Sequence, residues 1–268
     1  VRSSPVDLGI EGRVALVAAS SKGLGRAVAE TLAAEGCDLV LCARSEGELE
    51  AARVAIADAS GRRVVALPTD VAEEEQVQRL VDLALAEFGT VDILVTNGGG
   101  PPPGSFQEHG LDAWRAASAV TLESVVALIK GVLPGMLERR WGRILNVTSI
   151  AVKQPVDGLM LSNALRAAVT GLARTLANEV AEQGVTVNNL MPGYTRTERL
   201  EHLASHIAEQ RGISESEAYR GWESQVPAGR IGEPREFGAL AAFLASKQAA
   251  YITGQSIAVD GGWIQSLL

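Results

Sequence analysis

Short apolar runs alternate with longer amphipathic stretches along almost the whole chain, and this alternation limits the fold more than any other feature of the sequence. Strands that alternate with helices pair in parallel, so we expect one α/β domain over residues 1–268, a Rossmann-like doubly wound parallel sheet with helices on both faces. The runs are almost continuously apolar, as strands buried on both sides must be. The predicted strands are 13–18, 38–43, 63–68, 92–96, 143–149, 185–193 and 256–262.

Charge and cysteine usage exclude several classes of function. The chain has 24 Lys and Arg residues against 32 Asp and Glu, a net charge of −8, so we expect no nucleic-acid partner. No apolar run approaches the ~20 residues of a membrane helix, and the N-terminal segment lacks the apolar core of a signal peptide. Cys37 and Cys42 have neither disulfide nor metal-ligand spacing. We therefore expect a cytoplasmic protein with no membrane contact and no metal site.

The loop after the first predicted strand is typical of a phosphate-binding turn. Residues 18–25 read Ala-Ala-Ser-Ser-Lys-Gly-Leu-Gly and lead into a predicted helix. Glycines let the backbone turn tightly against a pyrophosphate, and the free N–H groups of a helix N-terminus stabilise its charge. An ordinary strand–helix turn is the alternative, and the strand before and helix after the glycines favour a dinucleotide. The residues expected to contact it here are Ser20, Ser21, Lys22, Gly23, Leu24 and Gly25.

Loops behind other predicted strands match motifs of one family. Residues 69–71 read Thr-Asp-Val, 96–99 read Thr-Asn-Gly-Gly, and 192–197 read Pro-Gly-Tyr-Thr-Arg-Thr. Together with the glycine turn they give residues 8–263 a resemblance to the classical short-chain dehydrogenases/reductases. The resemblance implies that Asp70 contacts the adenine and that the 192–197 segment holds the nicotinamide carboxamide. The further cofactor residues that it implies are Asp70, Val71, Asn97, Gly98, Gly99, Pro192, Gly193, Thr195 and Thr197.

Two positions bear on how the cofactor binds. Ala19 stands where this family has its first glycine, so its side chain would strain the turn if the backbone there needs a positive φ. At the end of the second strand, members that prefer NAD carry an acidic residue, whereas this chain has Ala43 and then Arg44. A guanidinium matches a 2′-phosphate, and Lys22 adds a second charge, so we expect NADP(H) to be preferred over NAD(H). Alternatively, Arg44 is an ordinary hydrated surface arginine.

The catalytic positions follow the family only in part. The family uses an Asn–Ser–Tyr–Lys set, and the resemblance places these four at Thr121, Ser149, Ser162 and Arg166. Ser149 is the one retained residue, expected to hydrogen-bond a substrate oxygen. Arg166 is expected to bind the cofactor ribose or to stabilise negative charge, because its guanidinium stays protonated. An aliphatic hydroxyl is a far weaker acid than a phenol, so Ser162 cannot simply repeat the role of tyrosine.

The proton that completes reduction of a carbonyl needs another source. Lys153 lies four residues after Ser149, and Tyr194 follows the Pro-Gly expected to face the nicotinamide. Each is a candidate general acid. The alternatives are a hydrated loop lysine, an apolar lid contact by the tyrosine, or a proton supplied by substrate or water.

The sequence thus favours an NADP(H)-dependent oxidoreductase of the carbonyl reductase or alcohol dehydrogenase type, similar to 3-oxoacyl reductases but with an atypical active site. We expect a small carbonyl or alcohol substrate and a substrate lid at about 197–224. The resemblance implies a homotetramer or homodimer. One alternative is a catalytically silent NADP(H)-binding sensor or assembly protein. This alternative would explain directly why three of the family's four catalytic residues are changed. Another is an enzyme for a different step, on a substrate that carries its own acid.

Overall fold

Seven parallel strands form one sheet in the computed structural model, which describes residues 7–267 except the side chain of His206. Their order is β3-β2-β1-β4-β5-β6-β7. Strands β1 to β3 are therefore added towards one edge of the sheet, and β4 to β7 towards the other edge. Each of the seven predicted strands is found, most of them shorter by one to three residues. The strands are β1 Val14–Val17, β2 Asp38–Ala43, β3 Val64–Pro68, β4 Ile93–Thr96, β5 Gly142–Val147, β6 Val185–Pro192 and β7 Ser256–Val259.

Helices connect the strands, and their ends follow from local chemistry. α3, for example, has acidic residues in its first turn, where the helix dipole favours them, and it ends before Gly89 with a φ of 72°. Within the described range the helices are α1 Gly23–Ala34, α2 Glu46–Ser60, α3 Glu74–Phe88, α4 Leu111–Ser118, α5 Ser124–Glu138, α6 Met160–Val180, α7 Glu198–Arg211, α8 Glu215–Glu223 and α9 Pro234–Ala245. A π-helical turn, Ala119–Glu123, joins α4 to α5.

Both faces of the sheet are covered, as the sequence predicts. On one face α1, α2 and α9 pack against the strands, with Leu32 and Phe237 fully buried between them. On the other face α3, α5 and α6 do the same. The two thiols, Cys37 and Cys42, are buried in this core, and burial raises the pKa of each to about 12. Neither is therefore poised to react.

The continuous helix formed by α4, the π-helical turn and α5 is more apolar than the sequence analysis suggested. Leu111–Glu138 has a mean hydropathy of 1.7 over an 18-residue window, enough by length and composition for a membrane span. It packs on the sheet through buried residues that include Leu128, Val132 and Met136. Core helices of water-soluble proteins pass the same test, so this helix alone is weak evidence for a span.

A row of four polar side chains crosses the sheet from the end of β4 to the start of β7. Thr96 Oγ1 donates to Asn146 Oδ1 at 2.8 Å, and Asn146 Nδ2 donates to Asn189 Oδ1 at 3.1 Å. Asn189 Nδ2 then donates to Ser256 Oγ at 3.0 Å. The four residues are also direct partners in the strand register. We call them the polar row. The polar row fixes how β4, β5, β6 and β7 are aligned with one another.

Candidate functional site

The glycine turn between β1 and α1 has the conformation that an anion site needs. Gly23 begins α1 with a φ of 59°, a region that favours glycine. Gly25 lies against the carbonyl of Ala19, so any side chain there would clash with the backbone. Ser20 is fully buried and fixes the turn to β2, because its amide donates to the Cys42 carbonyl at 3.0 Å and its Oγ accepts from the Cys42 amide at 3.2 Å.

Ala19 adopts a φ of 49°, so the condition under which its side chain strains the turn is met. An L-residue other than glycine, asparagine or aspartate seldom enters this region, because its Cβ approaches the following carbonyl. The chain therefore carries a strained residue at the start of the turn, while the overall path of the turn is retained.

Replacing Ala19 by glycine should raise the free energy of unfolding by about 1 kcal/mol and the melting temperature by roughly 2–4 °C, because glycine adopts a positive φ without strain. Urea and thermal unfolding followed by circular dichroism measure both. Ala18→Gly is the control, since Ala18 is buried and lacks a positive φ, and it should be destabilising. If Ala19→Gly were as destabilising as Ala18→Gly, the turn would not be strained.

The N-terminus of α1 and the segment after β6 meet over this turn. The first turn of α1 holds no acidic residue, and no side chain caps its N–H groups. The Cγ2 of Thr197 lies 3.6 Å from where a Cβ on Gly23 would be. Gly193 packs so closely on Asp260 that a Cβ would come within 2.7 Å of its Cα. Thr195 and Thr197 hydroxyls donate to backbone carbonyls of their own loop, which shapes the segment.

The loops after β3 and β4 supply the remaining residues that the resemblance implies. Asp70 is half-buried, and one of its carboxylate oxygens accepts from the Ala72 amide at 3.0 Å, which orients the carboxyl group. Val71 packs on the core. Asn97 Nδ2 lies 3.5 Å from the Ala19 carbonyl, so this side chain connects the β4 loop to the glycine turn. Gly98 and Gly99 follow it.

The two cations expected at the 2′-phosphate are in different situations. Arg44 is exposed directly after β2, and its guanidinium has no partner among the described residues. The Lys22 ammonium is 2.7 Å from Glu198 and 3.2 Å from Glu48. Hydrogen bonds to Glu198 and then Glu48 raise the pKa of Lys22. Lys22 is thus already shared by two carboxylates, and Arg44 is the cation left available for a phosphate.

Ser149 and Ser162 lie on the two segments that follow β5, the loop and then α6. Ser149 caps a short 3-10 turn, where its Oγ accepts from the Ala151 amide at 3.1 Å. With one lone pair occupied in this way, its hydroxyl hydrogen is free to donate outward. Ser162 is 5% exposed, in the first turn of α6, and its hydroxyl bonds to no other described residue.

Arg166 lies one turn further along α6 and is 9% exposed. Its Nη1 donates to the carbonyls of Val147 and Thr148 at 2.7 and 2.8 Å, at the end of β5. Burial lowers the pKa of Arg166 to about 10, with a smaller contribution from the positive charge of Arg199. A buried guanidinium therefore lies at the carboxyl end of β5, against the residue directly before Ser149.

Thr121 occupies the middle of the π-helical turn, and such turns are frequent at functional sites. Its side chain is buried, and its Oγ1 has no hydrogen-bond partner among the described residues. It shares a small cavity with Asn97, Thr148 and Arg166. The structure thus brings together three of the positions that the resemblance implies: Thr121, Asn97 and Arg166.

The two candidate acids are placed less favourably. Lys153 is exposed on the loop after β5, so its ammonium is hydrated. Tyr194 is half-buried and belongs to an aromatic cluster, with its ring stacked on Trp222 at 5.4 Å and edge-on to Trp263 at 6.1 Å. Burial raises the pKa of Tyr194, which makes the phenol a weaker acid.

Residues 197–224, expected to form a lid, fold into α7 and α8, which pack on each other through Leu200, Ala204 and Trp222. Sequence reasoning missed Arg199 on α7. Its guanidinium occupies the space beside Gly100 that a side chain at that position would fill. The signal available was a third consecutive glycine after β4, which leaves room for a large side chain from elsewhere.

Comparison with known proteins gives one consistent group of relatives. Residues 18–264 match the family described as enoyl-(acyl carrier protein) reductase. The 3-oxoacyl-[acyl-carrier-protein] reductase FabG of Vibrio cholerae is 37% identical over 255 residues, which cover 95% of this chain and 98% of that protein. FabG of Escherichia coli is 36% identical over the same length, with the same coverage.

Solved structures agree with this grouping. L-sorbose reductase from Gluconobacter frateurii, complexed with NADPH and L-sorbose, superposes with a TM-score of 0.94 at 32% identity, over 98% of this chain and all of that one. An actinorhodin polyketide ketoreductase variant with NADPH has a TM-score of 0.91 at 32% identity, over 95% of this chain and 98% of that one.

Proposed function

Because the chain belongs to the short-chain dehydrogenase/reductase family, related to the FabG reductases, we propose that it is an NADP(H)-dependent oxidoreductase that interconverts a small carbonyl compound and its alcohol. The observation that carries the proposal is that the glycine turn, Thr197 and Ser149 all follow strands at the carboxyl edge of the sheet, with Thr197 lying against Gly23. A lone glycine turn would support only nucleotide binding.

The residues present fit the proposed cofactor. The uncapped N-terminus of α1 and the positive φ of Gly23 suit a pyrophosphate, and Asp70 keeps one carboxylate oxygen for the adenine. Arg44 has a free guanidinium for a 2′-phosphate. NADPH, when bound, supplies hydride to the carbonyl carbon.

Within this proposal the chain's own side chains handle the substrate oxygen. Ser149 donates its hydroxyl hydrogen to that oxygen, because the Ala151 amide fixes the orientation of Oγ. Arg166 places a buried positive charge beside the oxygen as negative charge develops there, and such charges act strongly away from water. The active site is atypical in this respect, since Ser162 and Arg166 stand where the family has tyrosine and lysine.

Lys153 and Tyr194 remain the proposed proton donors. We expect Lys153→Ala or Tyr194→Phe to lower turnover by at least about tenfold, whichever residue supplies the proton. Tyr219→Phe is the matched control, because Tyr219 contacts the same Trp222 ring from another side. Steady-state rates of the purified variants decide the question, and if both keep the full rate, the proton comes from substrate or water.

The proposed function is tested by titrating the protein with NADPH and with NADH while following reduced-nicotinamide fluorescence. A panel of ketones and aldehydes, assayed by loss of the NADPH absorbance, then tests turnover. Tight NADPH binding with turnover supports the proposal. Tight binding without turnover of any compound favours a silent sensor or assembly protein, and binding of neither cofactor contradicts an oxidoreductase.

Two further proposals concern the protein's state in solution. We propose a homotetramer or homodimer, supported by its relationship to the FabG reductases, and light scattering after size exclusion measures it. We also propose a cytoplasmic location, which the buried, unpaired thiols Cys37 and Cys42 support.

A further inference from the structure

Two buried arginines, Arg143 and Arg166, contact opposite ends of β5. They differ in how many of their N–H groups are hydrogen-bonded to the protein. Arg143, at the start of β5, donates to the carbonyls of Gly142, Gly184 and Ser246, and its guanidinium lies over the Trp141 ring. Arg166, at the other end, bonds to protein through Nη1 alone. Its Nε and Nη2 have no partner among the described residues. A guanidinium has five N–H donors, so Arg166 keeps three of them for something else.

A second guanidinium lies beside the loop that lines the same cavity as Arg166. Arg199 extends from the first turn of α7, and its guanidinium lies against Gly100, in the loop that follows β4. Gly98 and Gly99, directly before Gly100, line the same small cavity as Arg166, so the Arg199 guanidinium lies near that cavity. Its charge also lowers the pKa of Arg166, after the larger effect of burial. Neither guanidinium has an ion pair with any described acidic residue. By contrast, Arg26, Arg53 and Arg230 each pair with a glutamate.

Arg166 is buried whereas Arg199 is exposed, so the unpaired positive charge is costly mainly at Arg166. An anion that contacts both guanidinium groups would offset this cost. The place for the anion is next to the reacting group. The Thr148 carbonyl that accepts from Arg166 belongs to the residue directly before Ser149.

We propose that Arg166 and Arg199 together bind a carboxylate of the substrate, so that the substrates of this protein are oxo acids whose carboxylate lies within a few bonds of the carbonyl. This proposal rests on the proposed function and specifies its substrate class. The pyrophosphate of the cofactor is the other source of anionic oxygen. It is already provided for by the uncapped N-terminus of α1 and the glycine turn.

The test compares binding of acids with that of their neutral esters. Pyruvate, acetoacetate and levulinate, each paired with its methyl or ethyl ester, are titrated into the protein and followed by saturation-transfer NMR, with and without saturating NADP⁺. We expect at least one acid to bind roughly thirtyfold more tightly than its ester, the size typical of a charge-assisted hydrogen-bonded pair. Arg199→Gln should reduce this ratio at least about tenfold, and Arg199→Lys should keep most of it.

Arg211→Gln is the control, because Arg211 ends the same helix, about 18 Å away at 1.5 Å per residue, and should leave the acid-to-ester ratio intact. Equal binding of acids and esters by the unmodified protein would overturn the proposal. So would an Arg199→Gln variant that keeps the ratio but loses NADPH affinity, since the anion would then be the pyrophosphate. Binding is read without turnover and also without cofactor, so failure of the oxidoreductase proposal is detected separately.

Discussion

Replacing Arg44 by serine should weaken NADPH binding roughly fiftyfold and leave NADH binding within about twofold, since a guanidinium–phosphate pair contributes about 2–3 kcal/mol. Arg44 is exposed after β2, with no competing carboxylate partner. Lys22 cannot fully replace it, because Glu48 and Glu198 already share its ammonium. Loss of Arg44 therefore removes the unpaired member of the two cations that we expect at a 2′-phosphate.

Fluorescence titration of both reduced cofactors at fixed ionic strength measures the effect, because exposed charges are screened by salt. Arg53→Ser is the matched control, since Arg53 is on α2 but is paired with Glu50. Adding Ala43→Asp to Arg44→Ser should reverse the preference, because a carboxylate repels the phosphate and accepts from a 2′-hydroxyl. An Arg44→Ser protein with unchanged preference would show that Arg44 is only a hydrated surface residue.

Replacing Arg166 by methionine should lower kcat/KM by about 10²–10³-fold, the loss typical of removing one stabiliser of a developing oxyanion. It should also lower the free energy of unfolding by about 2 kcal/mol, because the carbonyls of Val147 and Thr148 lose their donor inside the protein. Methionine fills a similar volume, so the effect reports on charge and hydrogen bonding more than on packing.

Arg166→Lys separates these contributions. A lysine retains the charge and one or two of the donors, so we expect it to recover at least a third of the lost activation energy. Arg174→Met, two turns further along α6 on an exposed position, controls for the helix itself. Kinetics on any substrate found in the panel, together with urea unfolding, give both quantities. Full activity in Arg166→Met would exclude Arg166 from the chemistry.

Much of the fold could be predicted from sequence because its signals are local. Each strand is a run of apolar residues, and the glycine turn must follow β1 directly. The position of Ser149 is a local property too, because it follows the end of β5 by two residues. The ends of the strands were less predictable, since the last residue of a run, such as Gly193 after β6, is set by packing on Asp260.

The properties that sequence missed depend on contacts between distant segments. Arg199 is one of many arginines in the chain until α7 brings it to Gly100. Lys22 was expected to be free for the cofactor, and only the folded chain shows Glu198 beside it. Tyr194 is next to the expected nicotinamide site in sequence, but its ring belongs to the cluster with Trp222 and Trp263. A pattern within one sequence does not show which distant residues become neighbours in the folded chain.

The polar row has a consequence for how this site can change over evolutionary time. Thr96, Asn146, Asn189 and Ser256 fix the alignment of β4 to β7 through hydrogen bonds between neighbouring strands. A slip of one residue in one of these strands would turn its polar side chain to the opposite face of the sheet and break its hydrogen bonds in the row. Alignment of the strands therefore does not rely on the residues that do chemistry. Positions such as Ser162 and Arg166 can be exchanged singly while the scaffold keeps its register, which leaves new reactions open to small mutational steps.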